Sequence, residues 1–359
     1  IGWEKKSYSD GINAGRVNIE NEIWPLVIHE IKPPTSGDFE IIWKWHIWDH
    51  LIQDQDSTLN NYGTIKNHPE LININIGGFT NPNEGDWLHT NAIAYNEQLD
   101  QIIISSKHLN EILVIDHSTT TEEASQHTGG NSNKGGDILY RWGNPINYGR
   151  GTSNEKKLNA QHGAHWISND SPGAGNILIF NNNPTDTTGA NNEFGNSSVV
   201  EITPPLNVEG NYIINDSIAF GPDNYAWVYG ANNTFFSHFQ SGAYRLKNGN
   251  TLITSTQEKI IFEIDSLGNK IWDYDLDTNH NQVGYTARAK KYEIEYLNNI
   301  MGDIYIDNQI NIYDLLMAVE IFFLNGYLQK IDFNNDGQIN QSDIDYMLER
   351  ILNPLSQPN

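Results

Sequence analysis

Two stretches of this chain hold residues whose types and spacing can do chemistry. In "KIDFNNDGQINQSDIDYM" (330–347), Asp332, Asn334 and Asp336 stand at positions 1, 3 and 5 of a loop, followed by Gly337 at 6, Gln338 at 7, Asn340 at 9 and Asp343 at 12. Oxygen ligands at that spacing, with a glycine for the sharp bend and a backbone carbonyl at position 7, form a calcium loop. An upstream copy places Asp303, Asp307, Gln309, Asn311 and Asp314 at the corresponding positions, with Tyr305 at 3 and Asn308 in place of the glycine. Asparagine tolerates the left-handed turn, but the lost oxygen at position 3 predicts weaker binding. The other stretch is "QHGAHWI" (161–167), with His162 and His165 three apart. Metal ligands, catalytic groups and packing residues all fit that heptapeptide taken alone.

The elements that must position these groups change along the chain. From about residue 14 to 295, short runs of β-formers alternate with Gly, Asn, Asp and Pro, and "DQIIISS" (100–106), "EILVID" (111–116), "GNILIFNN" (175–182), "NGNTLITS" (248–255) and "KIIFEID" (259–265) predict strands. An aromatic-x-aromatic core recurs in "EIIWKW" (40–45), "ILYRWG" (138–143), "YAWVYG" (225–230) and "KIWDYD" (270–275) at multiples of about 45 residues, the length of a four-stranded propeller blade. The fold read from this pattern is all-β, a six-bladed β-propeller over 1–295, with an irregular sandwich as the alternative. A linker over 296–300, two loop-then-helix units over 301–353 and a tail over 354–359 complete the chain. On an extended strand an odd spacing sends side chains to opposite faces. His162 is therefore expected to point toward the propeller axis and His165 to pack beside Trp166, which argues against a two-histidine metal site.

Composition narrows the functions. The 45 acidic and 21 basic residues give a formal charge of −24, which disfavours nucleic acid and anionic membranes as partners and favours divalent cations. The absence of cysteine excludes disulfides and thiolate metal sites. The most apolar helical stretch, "DLLMAVEIFFL" (314–324), is too short to span a bilayer and carries Glu320. A chain that begins at Ile1 rather than Met reads as processed or trimmed.

Longer motifs carry a resemblance. "WKWHIWDHLIQD" (43–54), "DWLHTNAIAYNEQLDQIIISSKHLNEILVIDHSTTTEEASQHTGG" (86–130), "KGGDILYRWGNP" (134–145), "QHGAHWI", "PGAGNILIFNNN" (172–183) and "SGAYRLKNGNTLI" (241–253) together resemble the bacterial arylsulfate sulfotransferase-like family over about residues 20–292. The resemblance implies a six-bladed propeller in a secreted, extracellular or periplasmic protein. It also implies sulfuryl transfer from an aryl sulfate to a phenol through a sulfated histidine. Such a displacement needs a neutral imidazole, cationic or N–H donors for the sulfuryl oxygens and an acid for the leaving phenol. On that reading His89 in "DWLHTNAI" and His162 sit at the starts of inner strands, Asn91 donates to a sulfuryl oxygen and Arg245 offers a cation, with Lys107 and His108 nearby. The family's nucleophilic histidine comes late in the chain, where His238 is better placed than His280. The family arginine that follows the "NILIF" stretch has no counterpart in "IFNNNPTDTTGANN" (179–192). Losing one such donor typically costs a few kcal/mol of transition-state stabilisation.

Asp rather than Glu at position 12, with only an exiting helix behind each loop, resembles the dockerin variant of the EF-hand. That implies bound Ca2+ and a protein partner, either a cohesin-like module or a neighbouring copy of the chain. The pairs after position 9, which the resemblance implies face that partner, are Ile312-Tyr313 and Gln341-Ser342, so the two halves differ. A non-catalytic extracellular scaffold is therefore the alternative function. Glycan or peptide binding, prompted by the ten Trp and seventeen Tyr, is a third, against which most of these aromatics recur at blade spacing and read as core.

Overall fold

Strands that are apolar at successive positions need cover on both faces. Gln101–Ser106, Glu111–Asp116 and Ile177–Asn181 are buried along their whole lengths, and their neighbours supply that cover. The computed structural model describes residues 1–33, 38–77, 85–183, 196–230, 235–276, 285–292, 301–305, 309–324, 326–334 and 336–352. They fall into two compact units, Ile1–Ala289 and Lys290–Asn359, so the division lies slightly before the expected edge at 295.

In the first unit β1 (Gly2–Trp3), β2 (Leu26–Lys32) and β3 (Glu40–His46) form an antiparallel sheet, and β4 (Leu51–Ile52) pairs in parallel with β5 (Ile72–Asn73). Three four-stranded antiparallel meanders follow. They are β6 (Thr90–Asn96), β7 (Gln101–Ser106), β8 (Glu111–Asp116) and β9 (Ile138–Trp142); β10 (His162–Trp166), β11 (Ile177–Asn181), β12 (Ser198–Ile202) and β13 (Trp227–Tyr229); and β14 (Gly242–Arg245), β15 (Thr251–Ser255), β16 (Ile260–Ile264) and β17 (Lys270–Asp275). The aromatic repeat falls on the last strand of each sheet: β3, β9, β13 and β17. Long connections containing the 3-10 turns Ile47–Asp49, Ile65–Asn67, Glu123–Ser125 and Pro145–Tyr148 occupy chain that further blades would need. Among the described residues the sheets of three or four strands number four rather than six, and none closes on itself.

Alternation along the strands makes each of the two middle sheets, β6–β9 and β10–β13, a partition between two cores. Ile102, Ile104, Leu113 and Ile115 pack with Ile28 and Trp43 of the first sheet. Ile103, Ile112 and Val114 point the other way, onto Ile177, Ile179 and Val200. Leu178, Phe180 and Val199 in turn meet Ala243, Ile253 and Phe262. Each such aliphatic side chain stabilises the fold by roughly 1.5–3 kcal/mol when fully buried.

One ion pair is enclosed by this packing. Arg141 on β9 meets Glu111 on β8 through two hydrogen bonds, Nε to Oε1 at 3.0 Å and Nη2 to Oε2 at 2.6 Å, and both side chains are fully buried. Arg141 also donates to the Leu71 carbonyl at 3.0 Å and lies over the Tyr148 ring.

A short helix, α1 (Tyr8–Asn13), belongs to the first unit, and in the second unit the helices are α2 (Ile312–Phe323) and α3 (Gln341–Leu352). Asn311 caps α2 by accepting from Tyr313 N, and Asp314 reaches back to Asn311 N. Ala318, Ile331, Ile344 and Met347 form the core. Among the described residues no helix is long and apolar enough to cross a membrane.

Truncating one member of the enclosed ion pair leaves its partner charged and unpaired. Glu111→Ala is expected to lower unfolding stability by about 3–5 kcal/mol, read as a shifted urea midpoint.

Candidate functional site

The first strands of consecutive sheets, β6, β10 and β14, neighbour one another, with β10 in contact with both of the others. Glycine permits part of that approach. A Cβ on Gly163 would stand 3.4 Å from Gly242 Cα, and Gly163 has φ +68°. The same residue interrupts the ladder: the β10–β11 register shifts between His162 and His165. The two histidines then take different partners. His165 Nδ1 donates to Gly163 O at 2.8 Å, and its ring packs on Tyr244 with centroids 4.9 Å apart.

His162 is 6% exposed. Its Nδ1 lies 2.8 Å from Asn182 Oδ1 and 3.0 Å from Ala160 O. The Asn182 amide is oriented by donation of its Nδ2 to Ser237 O (2.8 Å) and Gln240 O (3.0 Å). Both neighbours of Nδ1 are therefore acceptors, so Nδ1 carries the proton and Nε2 the lone pair. Burial pushes His162 down to about 4, against the raising effect of the Asn182 and Ala160 hydrogen bonds, and the charges of Lys107 and His89 add to the depression. The imidazole is neutral at ordinary pH, and His162, His89 and Lys107 share one electrostatic neighbourhood.

His89 precedes β6 in a left-handed conformation, φ +45°. Asp86 holds it by accepting from His89 N (3.0 Å) and from His89 Nδ1 (2.5 Å), which leaves Nε2 bare. His108 stands with its ring centroid 5.0 Å from that of His89 and donates Nδ1 to Asp86 O at 3.1 Å. Burial lowers the His108 pKa. Burial works to raise Asp86, but the His89 hydrogen bond and the charges of His89 and His108 bring it below the ordinary carboxylate value. The ligand atoms of Asp86, His89 and His108 lie within 4.8 Å of one another, close enough to hold a divalent cation.

Other expected residues are used differently. Asn91 Nδ2 donates to Gln161 O at 2.7 Å, clipping β6 to β10, and its Oδ1 is buried with no hydrogen-bond partner. Arg245, expected to offer a cation, is instead committed to an ion pair. Its Nη2 is 2.6 Å from Glu201 Oε2 and its guanidinium lies over Trp227, because both charged side chains are nearly enclosed, Arg245 at the last position of β14, and must pair. His238 is exposed between Phe236 and Phe239 and donates Nδ1 to Gln257 Oε1. It joins the His162 neighbourhood only through the adjacent Ser237 carbonyl held by Asn182. The sequence reading passed over Asn182 and Arg288. Asn182 had a signal, a polar run closing a wholly apolar strand. Arg288 had none, since chain return alone brings its Nη2 to 2.7 Å from Asn91 O and its stem over Gly242.

In the second unit Asp303, Asp314, Asp332 and Asp343 are buried. Asp332 accepts from Asp336 N and Gly337 N, and Asp343 accepts from Phe333 N and Asn340 N. Asp314 repeats the Asp343 pattern with Ile304 N and Asn311 N. Gly337 has φ +79°, the bend expected at position 6. Asn334 and Asn340 donate to Asp336 Oδ2, and the Gln338 backbone N–H donates to Asp336 Oδ1. Gln309 and Asn311 belong to the first loop, whose Asp307 lies outside the described residues. The oxygen-rich donor set and the enclosed carboxylates fit a hard divalent cation.

Residues 28–203 match the family described as Arylsulfotransferase (ASST). No curated protein matches the chain. Among solved structures, the chain is similar to streptogramin B lyase at 11% identity, covering 77% of this chain and 60% of that one, TM-score 0.31. It is similar to BamB from Moraxella catarrhalis at 9%, covering 69% and 50%, TM-score 0.26. It is also similar to the beta-propeller domain of Myceliophteria thermophila Cps50 (Swd1) at 9%, covering 52% and 41%, TM-score 0.29. The chain thus spans about half the length of these structures.

The depressed His162 makes stability depend on acid. Below its ordinary value near 6.5 the unfolded chain takes up a proton that the folded chain refuses until about pH 4, so stability falls as pH falls through that window. The loss is on the order of 2–3 kcal/mol. Urea midpoints at about pH 7 and about pH 4.5 should differ less in His162→Gln than in the parent chain; an equal difference would contradict the assignment.

Proposed function

We propose that the first unit transfers a sulfuryl group from an aryl sulfate to a phenol through a sulfated histidine, as a propeller-type member of the arylsulfotransferase family. The family match over residues 28–203 supports the reaction class. The observation that carries the proposal is the buried, neutral His162, whose Nε2 keeps its lone pair beside His89 and Lys107. In this reading β6, β10 and β14 line the propeller axis.

The imidazole nitrogen attacks sulfur in line, the S–O bond to the phenol breaks, and the departing oxygen takes a proton from His89. Asp86 holds His89 in place and stabilises its protonated form, as a carboxylate does for a catalytic imidazole. The acceptor phenol then gives its proton to His89 and attacks the sulfo-histidine. The geometry favours His162 as the nucleophile over His238, which meets solvent between two phenylalanines. Lys107 and Arg288 supply the positive charge that residues 179–192 lack, since Arg288 keeps further N–H groups beyond the one held by Asn91 O.

The second unit is read as a dockerin-like module that holds Ca2+ through Asp332, Asn334, Asp336, Gln338, Asn340 and Asp343, and more weakly through the first loop. Bound calcium supplies the positive charge among the enclosed carboxylates. Ile312 and Tyr313 are more than half exposed at the start of α2, which suits docking on a cohesin-like partner or a neighbouring copy outside the cell.

With 4-nitrophenyl sulfate and a second phenol in calcium buffer, nitrophenol release should require the acceptor. It should fall at least about 100-fold in His162→Ala and about 100- to 1,000-fold in Arg288→Ala. Loss confined to His238→Ala would move the nucleophile to that residue. A flat trace from folded, calcium-loaded protein across several donors would leave the scaffold reading.

For the second unit, calcium at about 100 times Kd should raise stability by about 2.7 kcal/mol, and Asp332→Ala should remove that gain. The check is thermal unfolding of the full chain in calcium and in EGTA.

A further inference from the structure

His50, His127 and Asp137 take no part in the site described above, yet their side chains meet. His50 Nδ1 and His127 Nδ1 each lie 2.8 Å from the same oxygen, Asp137 Oδ1. The ligand atoms of all three groups lie within 4.8 Å of one another. His50 is fully buried, Asp137 nearly so, and His127 reaches the surface.

The position of one proton exposes a conflict. His50 Nε2 is 2.9 Å from the Ala124 carbonyl, which only accepts, so Nε2 carries the hydrogen. A neutral ring then turns its Nδ1 lone pair toward a carboxylate oxygen that already faces His127 Nδ1. The His50 lone pair and the Asp137 oxygen face each other with no proton between them, His127 Nδ1 meets the same oxygen, and a cation at their centre would resolve the conflict. We propose that this cation is a divalent transition metal of the zinc type, held by His50 Nδ1, His127 Nδ1 and Asp137 Oδ1.

The surroundings suit a metal. Donation from the second ring nitrogen to a backbone carbonyl is the usual way of orienting a metal-binding histidine. The His50 ring is clamped: it stacks on Trp45 with centroids 5.7 Å apart, and Trp45 Nε1 donates to Gly136 O at 2.7 Å. Gly136 closes tightly on the same imidazole, where a Cβ would stand 2.6 Å from His50 Nε2 and 2.1 Å from Ala124 O. A cavity of about 410 Å³ lined by Asp49, Tyr62, His68 and His127 adjoins the cluster and leaves room for a fourth ligand. Two imidazoles and one carboxylate favour zinc, cobalt, nickel or copper over calcium. Tetrahedral ligands at zinc distances stand about 3.3 Å apart, so the cluster has to open by about half an ångström, which the exposed His127 can provide. The metal would pin the loop carrying Ala124, His127 and Asp137 onto β3 and β4.

The test uses the full chain, stripped with chelator and kept in excess Ca2+ so that the oxygen loops are filled. Zn2+ is titrated by calorimetry, and Co2+ is followed by its visible d–d absorption. The parent chain should take up zinc with micromolar or better affinity. His127→Ala, a surface change that preserves the fold, should weaken uptake at least 100-fold, and His89→Ala should leave it intact. Absence of uptake by the parent chain would overturn the proposal and leave a protonated His50–Asp137 pair. Uptake unchanged in both His127→Ala and Asp137→Asn, or lost only in His89→Ala, would overturn it too, the latter by placing the ion at Asp86, His89 and His108.

Discussion

A strand that is apolar on both sides has no face to give to water, and the first unit follows from that constraint. Ile103 and Ile104 are sequence neighbours that serve different cores, as are Ile112 and Leu113. The two sheets built of such strands are stable only between two others, so the four sheets follow one another in chain order. Much of the polar chemistry thereby falls at strand ends and connections, where His89, His108 and His162 lie.

The buried strand ends impose a second requirement, that backbone groups between sheets find partners away from water. Side chains answer it. Gln161 Nε2 donates to Ser106 O and Glu111 O, Asn91 reaches Gln161 O, and Asn182 reaches Ser237 O and Gln240 O. These bonds join three sheets and at the same time fix the His162 tautomer. Glu111 links the network to the enclosed ion pair, since its carbonyl accepts from Gln161 while its carboxylate holds Arg141. The low dielectric that depresses His162 is the same that makes this ion pair depend on full hydrogen bonding.

The sequence made the strands legible because apolar runs bounded by Gly, Asn and Asp admit few other readings. "DQIIISS", "EILVID" and "KIIFEID" all lie on strands, and the aromatic repeat marks the closing strand of each sheet. The number of sheets was less legible, because a 45-residue period assumes short connections and the chain has long ones. The places of His89 just before β6 and of His162 at the first position of β10 could be read from the sequence. The parity argument for His162 and His165 met a bulge at Gly163, and a bulge breaks alternation. Arg245 looked available because sequence shows a charge but not its partner, Glu201, 44 residues away. Arg288 was invisible for the converse reason, as its partner Asn91 is 197 residues distant.

The helical unit turns on a different balance. Its apolar core is small, yet it encloses Asp303, Asp314, Asp332 and Asp343. Backbone N–H groups satisfy part of the Asp314, Asp332 and Asp343 carboxylates, as Phe333 N and Asn340 N do for Asp343. Lys330, whose Nζ donates to the Asp303 carbonyl at 3.1 Å, brings one positive charge to four anions, and the neutral donors add none. Enclosed charges are stable when paired or when they coordinate a metal. On the calcium reading proposed above, the ion itself would answer that need, and folding of the unit and binding of the cation would be parts of one equilibrium.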